Sequence, residues 1–150
     1  MVLIWLLLIA ALFLTGCDSH PAKPVIMVEE SSQPWYSETI AKLQVINLQA
    51  ANLVKAGKPD PAAELIQQGE AIIPRLLSVP HPTFAAMEAA SELDNLYGRM
   101  FLTNRHWGWA RLMFQKNLAR WKNWRPQTED TVRRLREAQD LIAECDRHIE

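Results

Sequence analysis

The chain has 150 residues, 49% of them hydrophobic and 22% charged, with a formal net charge of −1. That length suits one domain able to bury a core, and the near-zero charge excludes the broad basic field by which most nucleic-acid-binding domains find their target. Two cysteines, Cys17 and Cys145, and five glycines leave no disulfide framework and no glycine-rich phosphate loop.

The first element is apolar. Met1 to Leu14 carry no charged side chain. The run is shorter than the roughly 20 apolar residues a spanning helix needs, and it has the length of a secretory hydrophobic region. Leu14-Thr15-Gly16-Cys17 closes it. From Ser19 to Pro34 the composition turns polar and proline-rich around the short patch Val25-Ile26-Met27-Val28, which reads as a tether.

Strand signals are almost absent beyond residue 35, and the apolar residues recur with helical period. A first helix is predicted from about Tyr36 to Ala56, with Ile40, Leu43, Ala50, Leu53 and Val54 inward and Gly57 as its stop. Asp60-Pro61 is expected to cap and open a second helix. Its stripe is Ala62, Leu65, Ile66, Gly69, Ile73, Leu76 and Leu77, with a kink or an end at Pro74. Pro80-His81-Pro82 separates it from a third helix, about Thr83 to Leu102, carrying Met87, Leu93, Leu96, Tyr97 and Phe101. A fourth, capped by Asn104, should run to about Trp124 and end at Arg125-Pro126. Thr128 caps a fifth, with Glu129 and Asp130 at its positive end. That helix places Leu135, Ala138, Leu141, Ile142, Cys145 and Ile149 on one face, and Arg133/Glu137 and Arg136/Asp140 as i,i+4 pairs on the other. The expectation is an all-α domain, residues 35–150, of about five antiparallel helices.

Two resemblances follow from these residues. Leu14-Thr15-Gly16-Cys17 resembles the lipobox of bacterial lipoproteins: a branched apolar residue, two small residues, then the cysteine. The resemblance implies a signal peptide over residues 1–16 and cleavage before Cys17. It further implies acylation of that residue and an envelope location facing the periplasm or exterior. Asp18 resembles the inner-membrane retention signal of enteric bacteria. The lack of Lys or Arg before the apolar run leaves an uncleaved anchor as the alternative. More weakly, Tyr97-Gly98, Phe101, Ala110 and Phe114 resemble a tetratricopeptide repeat, echoed by Ala50, Leu53, Gly57, Ala62, Ile66 and Pro74. In each unit a pair of small residues stands twelve apart, where paired helices would touch. Asp94 and Asn117 depart from that family's apolar and small residues. The 48-residue spacing of the units, against about 34 in the family, implies an intervening turn and helix. Repeat-like hairpins and a plain helical bundle both remain open.

The fourth helix is the candidate site. Between Asn95 and Thr128 there is no acid, and Arg99, Arg105, Arg111, Lys116, Arg120, Lys122 and Arg125 lie there with four of the six tryptophans. A helical wheel turns Trp107, Ala110, Phe114, Leu118 and Trp121 inward. It sets Trp109 on the opposite side with Arg105, Lys116 and Arg120. Trp109 among cations fits a partner-protein anchor, an anionic lipid or envelope polymer, or simple packing on a neighbouring helix. Cys145 and His148 stand three apart on a helix, but Cys145 falls on the apolar stripe, where a buried thiol is the simpler reading than a metal ligand. His20, His81 and His106 show no ligand spacing. No nucleophile elbow is present, and the acids sit at solubilising spacing. No catalytic residue, metal or cofactor is therefore expected, and the reading is a membrane-anchored adaptor for another envelope protein.

Overall fold

A computed structural model of the chain describes residues 29–149. The lipobox, Cys17 and most of the tether lie outside them. After a 3-10 turn at Glu30–Ser32 come five helices: α1 (Pro34–Lys55), α2 (Pro59–Leu77), α3 (Phe84–Thr103), α4 (Trp107–Asn123) and α5 (Glu129–Asp146). Among the described residues there is no strand, and the domain is all-α. Packing follows chain order. α1 lies on α2 and α3, α2 on α3, α3 on α4, and α4 on α5.

The same corner is built twice. At the end of α1, Gly57 N donates to Val54 O at 3.0 Å and Lys58 N to Leu53 O at 2.9 Å, with Gly57 at φ 70°. At the end of α3, Arg105 N donates to Leu102 O at 3.0 Å and His106 N to Phe101 O at 2.9 Å, with Arg105 at φ 60°. Both are Schellman closures, which satisfy the last carbonyls by turning one residue left-handed. The α1–α2 and α3–α4 hairpins are thus equivalent at the 48-residue offset. No extra helix intervenes, contrary to the expectation from the spacing. Long helices, 22 and 19 residues in the first hairpin, and the 78–83 connection take up the difference. Gly98 is a close-contact point, but its neighbour is Phe114 of α4: a Cβ there would stand 2.5 Å from Phe114 Cε1, so only glycine lets that ring approach so closely.

Several helix ends differ from the sequence reading. α1 starts at Pro34, whose fixed φ suits a first turn. α2 starts at Pro59 with Lys58 before it, so Asp60 sits inside the first turn and does not cap it; its charge still faces the helix's positive end. α2 passes Pro74 and continues to Leu77. Pro74 is exposed, so the carbonyl it leaves without a donor is on the solvent side. Asn104 closes α3 and does not open α4, because the left-handed residue at Arg105 adds one more step to the corner. His106 precedes α4 without a side-chain cap. Thr128 caps α5 as expected, accepting from Thr131 N, and Thr83, read in the sequence as the start of the third helix, caps α3 by accepting from Ala86 N. α5 ends at Asp146, which leaves Ile149 beyond the stripe and exposed. Arg133 pairs with Asp130 and Glu137 with Arg99, so neither expected i,i+4 pair closes.

Two apolar clusters form the interior. One joins α1, α2 and α3 around Tyr36, Leu43, Ile66, Leu76 and Leu93; the other joins α4 and α5 around Ala110, Phe114, Leu141 and Cys145. The start of α1 is held by aromatic side chains. The Tyr36 hydroxyl accepts from Thr83 N at 3.0 Å, and the Arg75 guanidinium lies 4.5 Å from the centre of the Trp35 ring. Deeper in, Asn47 Nδ2 donates to Ala89 O at 2.8 Å, while its Oδ1 has no partner. The Glu92 carboxyl near it is held above the usual carboxylate range by desolvation and by repulsion from Glu88, against the opposing pull of Asn47 and Arg134.

Two outcomes are expected. Gly57→Ala should cost about 1 kcal/mol in chemical denaturation, whereas Arg105→Gly at the equivalent position should stabilise by a fraction of that, because only the arginine carries left-handed strain. Glu92 binds its proton more tightly in the folded chain, so its contribution falls as pH rises from the unfolded to the folded pKa. Glu92→Gln should therefore raise Tm at neutral pH. The gain should vanish below about pH 4, where both states are protonated.

Candidate interaction site

The four residues singled out on the fourth helix do not form one surface. Trp109 is 60% exposed, and Arg105 is exposed at the corner. Lys116 is half-exposed, with Nζ 3.5 Å from Glu70 Oε1 and 3.6 Å from Asp94 Oδ1. Arg120 is withdrawn: its side chain is 9% exposed and that of Asp94 2%. Arg120 thus leaves the proposed contact set. A straight wheel groups it with Trp109, but eleven residues separate them, and the wheel cannot know that Asp94 waits on α3.

Arg120 is the centre of a buried polar seam between α3 and α4. Its Nη1 and Nη2 both donate to Asp94 Oδ2 at 3.0 Å, and Nη1 also donates to Asn117 Oδ1 at 2.6 Å. Asn117 Nδ2 donates to Ser91 O at 3.1 Å and to Asn95 Oδ1 at 2.8 Å. Trp121 Nε1 donates to Ser91 Oγ at 2.8 Å. Asp94 and Asn117, the two departures from the repeat pattern, therefore compensate one another through Arg120. A buried guanidinium needs a carboxylate, and its remaining donors need acceptors.

Two further cations of the run are paired from α5. Arg99 pairs with Glu137 at 2.7 Å and Arg111 with Asp146 at 2.6 Å. Arg125 Nη1 is turned to the carbonyls of Lys122 and Trp124. The acid-free run in sequence is thus threaded among acids in space.

What remains outward is Trp109, backed by two half-buried rings of α3. Tyr97 and Phe101 stack on α3 with ring centres 4.3 Å apart, and Trp109 continues the row 6.3 Å from Phe101 at an interplanar angle of 29°. Leu112, one turn beyond Trp109, is also exposed. Burial and the Glu70 carboxylate push the Tyr97 phenol up, opposed by Lys116. In the sequence Tyr97 and Phe101 belong to the third helix and to the repeat-like motif. Their spacing of four shows that they share a face, but not that Trp109 extends it. Trp107 expends its ring elsewhere, stacked 4.1 Å from His148. Cys145 lies buried in the α4–α5 cluster, its thiol pushed up by burial and by Glu144 and Asp146. His148 faces Trp107, and among the described residues no three His, Cys, Asp or Glu side chains gather at metal-binding distance.

A concavity of about 1000 Å³ lies along α3 and α5. It is lined by Arg99, Arg133 and Arg136 with Glu129, Asp130, Glu137 and Asp140. Within it Arg99 pairs with Glu137 and Arg133 with Asp130; hydrogen bonds from Arg134 and Arg133 hold the Asp130 carboxyl below its ordinary range, and Arg134 also reaches Glu88.

Compared with known proteins, the chain matches no family model, no curated protein and no solved structure.

The seam gives a stability test. Asp94→Ala strands Arg120 in the interior and should cost about 3–5 kcal/mol. Arg120→Ala should cost less, since Lys116 stays beside Asp94. The double variant should cost far less than the sum in a urea denaturation cycle; additive losses would mean that the two groups do not act as a unit.

Proposed function

We propose that this chain is an envelope lipoprotein, anchored through Cys17, whose helical domain docks or positions a partner protein. The lipobox Leu14-Thr15-Gly16-Cys17 carries the anchoring part. Acylation of more than one atom at Cys17 would make anchoring stable, because a single chain holds only marginally. The adaptor part rests on one observation: the exposed indole of Trp109, backed by the Phe101–Tyr97 stack and bordered by Leu112. A rigid aromatic presented on stacked rings loses little entropy on binding, which is what makes such residues anchors. The repeated hairpin corners support the repeat-like reading of the scaffold.

The alternative is an anionic lipid or envelope polymer on the same face. Of the cations on which it rests, Arg120 and Lys116 are turned toward Asp94, and Arg105 alone makes no ion pair among the described residues. A partner that buries apolar surface therefore fits the face better than a polyanion. No catalytic role is proposed for any residue.

Both halves are testable in one preparation. Cys145 is buried, so the folded chain should show no reactive thiol there; after denaturation the lipidated chain should yield one thiol and the Cys17-unmodified chain two. Two thiols in membrane-extracted protein would remove the lipoprotein reading. Crosslinking and pull-down from intact cells should recover a partner with the native chain, less with Cys17→Ser, and at least about tenfold less with Trp109→Ala at unchanged Tm. A capture that survives Trp109→Ala but collapses with added salt would favour the polyanion.

A further inference from the structure

The two ends of the helical array are finished differently. α5 closes one end with Arg133, Arg136, Gln139 and Asp140 exposed, and a polar terminal helix keeps such an array from stacking on other molecules. α1 closes the other end and lacks that finish. Its inner face buries Tyr36, Ile40, Leu43, Ile46, Asn47 and Ala50. Its outer stripe is Glu38, Ala41, Val45, Leu48, Asn52 and Lys55, every one of them exposed. Val45 is 52% exposed and Leu48 63%, the largest exposure among the described large apolar side chains. Steps of three and four residues alternate along this stripe, the spacing of the contact seam between two paired helices.

The order of residues in the stripe selects its occupant. A second copy rotated about a two-fold axis between Val45 and Leu48 sets Val45 against Leu48, Ala41 against Asn52 and Glu38 against Lys55. Each contact then occurs twice, as a two-fold interface requires. Glu38 and Lys55 make no ion pair within the chain among the described residues, and the antiparallel arrangement pairs them at both ends. A parallel arrangement would instead place glutamate on glutamate and lysine on lysine. Lys42, Gln44 and Gln49 flank the seam as a polar margin. We propose that the chain forms an antiparallel homodimer through the outer face of α1, with Val45 and Leu48 at its centre and Glu38 opposite Lys55 of the other copy. Trp109 is on α4, which does not pack on α1, so dimerisation leaves the proposed partner face uncovered.

Two large apolar residues per copy make a modest interface, and a dissociation constant of about 10–100 µM is expected. Sedimentation equilibrium of the full chain in density-matched detergent, over about 1–300 µM, should follow a monomer–dimer curve. Leu48→Glu should weaken association by more than about 30-fold, with helical circular dichroism and protection of the Cys145 thiol unchanged. Glu38→Lys and Lys55→Glu should each weaken it several-fold, and the two together should restore it. Protein that stays monomeric throughout overturns the proposal, and would leave the stripe to a different partner. A dimer indifferent to Leu48→Glu overturns it by placing the contact elsewhere. A double reversal that fails to restore association overturns the antiparallel pairing.

Discussion

The pairing of Asp94 with Arg120 is the constraint on which the arrangement of this domain turns. It stands between two apolar clusters, one built by α1, α2 and α3 and the other by α4 and α5, and it is the main polar tie across the α3–α4 junction. Apolar contacts alone tolerate a small slide or roll of one helix on another. A guanidinium buried with one carboxylate does not, because moving α4 by one residue turns Arg120 through about 100° and leaves two charges desolvated and apart. Asn117, Ser91, Asn95 and Trp121 complete the donors and acceptors around it, so the seam is satisfied as a set. Its contribution is to define one register between the clusters more than to add net stability.

The same junction decides what the surface offers. Acids on α2, α3 and α5 reach four of the seven cations in the most basic stretch of the sequence, which reduces the basic surface it presents. Arg99, Arg111, Lys116 and Arg120 each find a carboxylate on another helix. The exposed Trp109 ring, continuing the half-buried pair Tyr97 and Phe101, is the distinctive outward feature of that region. Electrostatics and aromatic exposure are two results of one packing arrangement.

The sequence made the helices legible because their apolar stripes repeat locally, and Thr83, Thr128 and Gly57 mark ends by chemistry confined to a few neighbouring residues. The Asn104 and Asp60 caps were misplaced because cap-forming residue types do not by themselves say which side of a corner they serve. At the α3–α4 corner an arginine takes the left-handed position that glycine usually marks. The Arg120 assignment failed for another reason. A wheel describes one helix, and the carboxylate that draws Arg120 inward lies 26 residues earlier on its neighbour. Asp94 and Asn117 looked like flaws in a repeat pattern when read singly. They make sense only as a pair that the fold brings together. The exposed stripe on α1 was hidden because Val45 and Leu48 look like any other apolar residues until the inner face is seen to be complete without them.

The way α1 enters the array also gives the domain a mechanical character. Tension applied through whatever precedes Pro34 arrives first at Trp35 and Tyr36, where the tyrosine hydroxyl grips the backbone of Thr83 and the neighbouring indole is roofed by Arg75. Load is thereby handed at once to α2 and to the start of α3, and not borne by the end turn of α1 alone. A chain pulled from that side meets a clamp spanning three segments before any helix can peel away, whereas α5, at the opposite end, is held by its packing on α4 and by the ion pairs Arg99–Glu137 and Arg134–Glu88 to α3, which must part before it can be stripped.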